Sequence, residues 1–332
     1  MIYYLTTARH HSSVTKFLRT RGAPLAPILS VVAYPADVAP GPRRTRDWVP
    51  LRRYRRSLRG VVERSLDFVH ALRRHAPRPA AFIFSDLERL DAAERVRAAA
   101  LWTALAERGL ARRRLNHPLR ALRRYALLRR LEEQGINDFG VYRLTEARRP
   151  QRYPVFLRGE NDHVGSRSEL LYTPEELAMA LQNLESSPER HRPHIVTEFC
   201  ASRDERGLYR KYAAWCIDGR ILPGHLFFGP HWMLKQPTTL AAGLVAEELD
   251  YLARNPHAAA LERVFALAGI DYGRADYGIV AGRIQIYEIN TNPGIPSGYT
   301  PRPPSLRDEV DRRFNETLLD AFRALAASTT CV

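Results

Sequence analysis

Residues 271–296 read DYGRADYGIVAGRIQIYEINTNPGIP, and the fold of the whole chain turns on them. Two β-type runs, 275–280 and 284–290, flank Gly282 and predict a hairpin. Arg274 and Asp276 precede the turn, and Glu288 and Asn290 follow it. Side chains alternate along a strand, so the members of each pair share a face. Whether the two pairs share one face depends on the turn. A two-residue loop at Ala281-Gly282 opposes Val280 to Arg283 and puts Asp276 and Glu288 on opposite faces. A three-residue loop ending in Gly282 opposes Ile279 to Arg283 and gathers all four polar residues on one face. The expectation is the odd-length turn, or an equivalent bulge.

Two carboxylates, an amide oxygen and a guanidinium on one face suit a specific task. Mg²⁺ takes hard oxygen ligands, usually one or two protein carboxylates plus substrate phosphates. Asp276, Glu288 and the Asn290 side-chain oxygen could hold one or two such ions against a nucleotide triphosphate, with Arg274 on the transferring phosphoryl group or a developing oxyanion. An isolated Arg-x-Asp or Glu-x-Asn is ordinarily a solvated polar face. Their joint occurrence on one hairpin, followed by the turn-forming Asn292-Pro293-Gly294, favours a site.

The pattern RAD…YEINTNPG resembles the metal-binding signature of the ATP-grasp superfamily, the group that includes D-alanine–D-alanine ligase and glutathione synthetase. The resemblance implies that Asp276, Glu288 and Asn290 hold Mg²⁺ (or Mn²⁺) and that Arg274 faces the reacting phosphate. It implies an α/β (α+β) fold, in which an N-terminal α/β domain precedes two α+β lobes that sandwich ATP. The corresponding divisions are residues 1–112, 113–192 with a linker helix and the small lobe, and 193–332 with the metal hairpin. The likeness runs from about Asn116 to Asn292.

Other site residues follow from the same resemblance. Asn116-His-Pro118 precedes a helix that, in the family, carries a nucleotide-binding lysine about three turns before a Gly-Ile. Here Gly135-Ile136 is present but Arg124 stands at the lysine position. Residues 153–158, YPVFLR, resemble the strand that ends in a second ATP-binding lysine, again replaced, by Arg158. The loop 159–165, GENDHVG, would be a flap over phosphates. The strand 194–199, HIVTEF, would meet adenine through backbone groups near Glu198 and Phe199. The stretch Tyr209-Arg210-Lys211 lacks the acid that binds ribose in some relatives. Lys211 and Lys235 are candidate phosphate or substrate contacts, because a compact ammonium suits a crowded phosphate site.

Composition bounds the rest. At 332 residues, with 45% hydrophobic and 26% charged, the chain is an ordinary globular one of two or three subdomains. No apolar run of about 18 residues suggests a membrane span. The N-terminus is too short and polar for a signal peptide, and Cys200, Cys216 and Cys331 have no metal or redox spacing, so a reducing cytoplasm is expected. The net charge is +15, which raises nucleic acid as a partner. Of the 51 basic residues only Lys16, Lys211 and Lys235 are lysine, so 48 are arginine, spread over many helices. This reads as an arginine-for-lysine habit of the whole sequence, and no nucleic-acid partner is expected.

Strands are expected at Ile2 to Thr6, Ile28 to Ala33 and Ala80 to Phe84, alternating with helices and hence paired in parallel. A loop spans Pro35 to Pro50 and a helix with a Tyr54-Leu58-Val61-Val62-Leu66 stripe follows. Asp91 should cap a helix reaching Arg108, Asn116 one that ends at Gly135, Thr173 one to about Leu184, and Asn255 one to Ala268. Asp218-Gly219 should turn a hairpin, and 308–326 should close the chain as an amphipathic helix. The function these features imply is an ATP- and Mg²⁺-dependent carboxylate–amine (or thiol) ligase acting through an acyl phosphate, on small-molecule or peptide acids and amines. Three alternatives stand beside it: an ATP-grasp kinase, a nucleotide-binding protein that has lost catalysis, and an Arg-rich nucleic-acid-binding protein. A homodimer remains open.

Overall fold

The computed structural model describes residues 1–8, 11–35, 38–39, 63, 67, 80–162, 165–295 and 305–329. The helical stripe expected after Pro50 therefore lies outside the described residues, as does Cys331. Three sheets carry the architecture. The first is parallel, in the order β2-β1-β3-β4, from β1 (Ile2–Thr6), β2 (Leu29–Ala33), β3 (Ala80–Phe84) and β4 (Ala111–Leu115). Every residue of β1 and β3 is buried, as a parallel strand covered on both faces requires. The short helix α1 (His11–Leu18) and the edge strand β4, ARRRL, have no apolar alternation to announce them. Helix α2 (Ala92–Glu107) starts at the anticipated cap, Asp91, which completes a capping box: Glu94 N–H donates to Asp91, and Asp91 N–H to Glu94.

The small lobe is a three-stranded antiparallel sheet, β5-β7-β6, formed by β5 (Val141–Arg143), β6 (Val155–Gly159) and β7 (His194–Glu198). Its central strand β7 comes from beyond residue 192. Helices α3 (Arg124–Glu133) and α4 (Pro174–Glu185) flank it, the latter capped by Thr173 as expected. The large lobe is the antiparallel sheet β11-β10-β8-β9, with β8 (Tyr209–Ile217), β9 (Arg220–Gly229), β10 (Tyr272–Val280) and β11 (Arg283–Asn290). Helices α5 (Ala242–Arg254) and α6 (Ala258–Ala268) pack on it, and the amphipathic α7 (Asp308–Ala327) covers Trp215 and Tyr272 through Phe314 and Phe322.

Two caps differ from the sequence expectation. Asn116 caps no helix. It is fully buried with φ 66°, its amide donates to the carbonyls of Phe84 and Tyr272, and its oxygen accepts from the N–H groups of Asp271 and Tyr272. It ties the end of β3 to the start of β10, and the helix begins only at Arg124. Asn255 ends α5 in a left-handed conformation (φ 46°) instead of opening α6, whose N-cap position is His257.

The decisive hairpin takes the two-residue loop, with Ala281 and Gly282 both at positive φ and Val280 opposite Arg283. Alone this would separate the polar pairs. A register shift between Asp276 and Tyr277 corrects it: Tyr277 opposes Ile286, whereas Asp276 opposes Glu288. Tyr287 is the extra residue, so the equivalent bulge stands in for the odd-length turn.

Candidate functional site

Beyond the bulge, Arg274 opposes Asn290 and Asp276 opposes Glu288, so all four face one way. On the other side of β10, Asp276 opposes Ala213 of β8, which puts Lys211 on the same face. Asp276 is 5% exposed and takes two cations. Arg274 donates through Nε to Oδ1 (2.7 Å) and through a terminal nitrogen to Oδ2 (3.2 Å), and Lys211 Nζ lies 3.2 Å from Oδ2. Burial opposes the charge on Arg274, but the Asp276 carboxylate outweighs it and holds the guanidinium above its usual pKa.

Glu288 also takes two cations, both from the small lobe. Arg124, in the first turn of α3, and Arg158, on β6, donate to the same Oε2 at 2.6 and 2.7 Å. Both are buried, and Arg124 donates as well to the carbonyls of Gly159 (2.8 Å) and Glu160 (3.3 Å) at the base of the 159–165 loop. Burial, and then the Arg124 charge, push Arg158 down to about 10 against the pull of Glu288. The two arginines that replace the expected lysines are thus neither solvent-facing nor apart.

All of these groups except Arg124, which lines a separate small pocket beside Glu160, line a cleft of about 320 Å³, within the usual range for small-molecule sites. Arg158, Lys211, Lys235, Arg274, Asp276, Glu288 and Asn290 are all on its wall, and Lys235 packs beside Gly165 at the end of the flap loop. Aromatic rings form the opposite end. Trp232 stands 4.9 Å from Phe156 and edge-on to Phe199 at 5.7 Å, and Tyr209 meets Phe199 at 6.2 Å. Such rings can receive a flat heterocycle. Of this wall the sequence reading had only Phe199. Trp232 is three residues before the singled-out Lys235, in HWMLKQ, and its indole was the signal that went unused.

Glu198 faces the cleft's edge, yet its carboxylate is built into the fold. It accepts from the Tyr142 hydroxyl (2.7 Å) and from the backbone N–H groups of Gly140, Gln151 and Arg152. Burial alone would raise its pKa, but these hydrogen bonds prevail and lower it. The N–H groups of Glu198 and Phe199 donate to the carbonyls of Gly140 and Pro154. Along this segment Thr197, Glu198, Phe199, Cys200 and Ala201 all line the cleft.

No group of three or more His, Cys, Asp or Glu able to hold a metal occurs among the described residues. The donors here are two carboxylates and one amide on a single face. That set fits Mg²⁺ bound in the mode that relies on substrate phosphates for its remaining ligands. It does not fit a metal held by protein alone.

No family model matches the sequence, and no curated protein matches it. Its fold is that of solved ligases. D-alanine–D-alanine ligase from Bacillus anthracis, complexed with ATP, is 13% identical with a TM-score of 0.50, over 98% of this chain and 97% of that one. A second structure of the same ligase gives the same figures. An ATP-grasp RimK domain protein from Sphaerobacter thermophilus is 14% identical over the full length of both chains, with a TM-score of 0.48. The chain has the ATP-grasp fold, as the hairpin signature implied.

Proposed function

We propose that this protein is an ATP-dependent ligase that joins a carboxylate to an amine through an acyl phosphate. The observation that carries the reading is the convergence of Arg274, Asp276, Glu288 and Asn290 with Arg158, Lys211 and Lys235 on one cleft that ends in aromatic rings. The base of ATP would lie among Phe156, Phe199 and Trp232, and its phosphates along Arg158, Lys211 and Lys235. Mg²⁺, held by Asp276, Glu288 and Asn290, would supply further neutralisation of the triphosphate. The carboxylate substrate attacks the γ-phosphorus, releasing ADP, and the amine then displaces phosphate from the acyl carbon. Two anionic reactants meet in the first step, so cationic side chains are the chemistry's main need. Arg274, kept charged by Asp276, is placed to bind the phosphoryl group or the oxyanion.

The test is a screen of amino acids and peptides for ADP release, followed by mass analysis of the product. A joined product with loss of water across the pair supports the ligase. A phosphorylated product would make the protein a kinase on this scaffold. One observation favours a second reading, a nucleotide-binding protein without turnover: Arg124 and Arg158 already occupy the Glu288 oxygen. That reading expects ATP binding with no ADP release from any acid and amine.

A further inference from the structure

We propose that Asn292 is a positioning residue for Asn290, and that the first sheet, through Tyr4 and Thr6 of β1, thereby sets the metal affinity of a cleft it does not line. The inference rests on the metal role given above to Asp276, Glu288 and Asn290. It starts from the end of β11. Asn290 is the last residue of that strand, opposite Arg274, and the hairpin ladder stops there. Chain beyond the last ladder pair frays unless something else holds it, yet a metal ligand has to keep one orientation.

The two residues that follow are fastened to the C-terminal ends of β1 and β3. The Thr291 hydroxyl accepts from the Leu87 N–H at 3.0 Å and donates to the Glu88 carboxylate. The Asn292 side chain is held at both of its polar atoms. The Tyr4 hydroxyl donates to its oxygen at 2.8 Å, and its amide donates to the Thr6 hydroxyl at 3.3 Å. Tyr4 and Thr6 are two apart on β1, so they share a face, and both are fully buried. Burial raises the Tyr4 phenol pKa, so the hydroxyl keeps its proton and remains a donor.

Held in this way, Asn292 turns its backbone N–H back onto the Asn290 side-chain oxygen, at 3.4 Å. A backbone N–H can only donate, so it selects the oxygen end of that amide, which is the end a hard cation requires. Gly273 seats the same residue from the other side: a Cβ there would lie 2.8 Å from the Asn290 carbonyl oxygen. Asn292 itself is not on the cleft wall. An effect of its side chain on metal binding therefore passes through Asn290.

The experiment is a Mn²⁺ titration of the full chain with a non-hydrolysable ATP analogue, read as free Mn²⁺ by electron paramagnetic resonance, with the analogue-only titration subtracted. The variants are Asn292→Ala and Tyr4→Phe, the second removing one hydroxyl from a ring that stays packed. Loss of a residue that orients a metal ligand typically costs about 10–100-fold in affinity, so each variant should weaken Mn²⁺ binding by about tenfold or more. Leu325→Ala opens a cavity in the core cluster that contains Tyr4. It should lower the melting temperature and leave the Mn²⁺ titration unchanged. Mn²⁺ affinity that is unchanged in either Asn292→Ala or Tyr4→Phe, or that Leu325→Ala weakens as much, overturns the inference and leaves the metal hairpin standing. A wild-type chain that takes up no Mn²⁺, or uptake that Asp276→Asn does not weaken, removes the metal reading itself and this inference with it.

Discussion

Arg124 and Glu288 are 164 residues apart and sit on different lobes, yet their side chains meet at 2.6 Å with Arg158 on the same oxygen. This contact ties α3 and β6 to β11. Removing one partner of a buried ion pair typically costs about 3–5 kcal/mol, because the other charge is left buried. Glu288→Ala strands two guanidiniums, so a loss of about 3 kcal/mol in urea unfolding is expected, with part of it recovered when phosphate is added. In the assay for ADP release the same variant, like Asp276→Ala, should be slower by roughly a thousandfold. Full ADP formation by Glu288→Ala with the true substrates would end the role given to this residue.

The bulge at Tyr287 makes a second prediction. Tyr287 lies across Gly278: a Cβ built there would come within 2.2 Å of its hydroxyl oxygen. The hydroxyl donates to the Cys200 carbonyl at 3.1 Å, which fixes the ring over the glycine. Gly278→Ala should therefore cost about 1–3 kcal/mol, as overpacking of a filled site does. Adding Tyr287→Phe removes the nearest atom and should return part of that loss in the same unfolding measurement. If Gly278→Ala is neutral, the bulge does not depend on this packing.

How far the sequence could be read follows from where each residue finds its partner. Glu288 and Asn290, or Arg274 and Asp276, declare a shared face by spacing alone, because strand alternation is local. The bulge that brings the two pairs together packs Tyr287 against Gly278 and the Cys200 carbonyl, and the latter belongs to another segment. Asn116 has the local marks of a helix cap, and its true partners are Phe84 and Tyr272. Asn255 before Pro256 fits the end of one helix as well as the start of the next, and only its φ of 46° decides. Arg124 on a helix reads as a surface arginine until Glu288 is placed opposite it.

The aromatic end of the cleft can be tested by Trp232→Ala. Loss of one ring that stacks on a base typically costs about 1–3 kcal/mol. ATP affinity should fall by roughly tenfold or more, while ATP-independent stability changes little, since Trp232 sits on the cleft wall. Unchanged ATP affinity, measured by titration calorimetry, would move the base elsewhere.

Glu248 makes stability depend on pH. It is 2% exposed on α5, and burial raises its pKa to about 7 although Arg307 (2.8 Å) and the Leu226 N–H both favour the charged form. A carboxyl whose folded pKa is raised binds its proton more tightly in the folded state than in the unfolded chain. Its contribution is therefore greatest below the unfolded value of about 4.5 and declines as pH rises to about 7, after which it is constant. The span corresponds to about 3 kcal/mol at most. Glu248→Gln cannot lose a proton, so it should gain on the wild type steadily between pH 5 and 7 and no further by pH 8. Unfolding free energies of the two proteins across that range give the comparison. A difference that does not vary with pH would mean that the Arg307 pair, and not burial, governs this carboxyl.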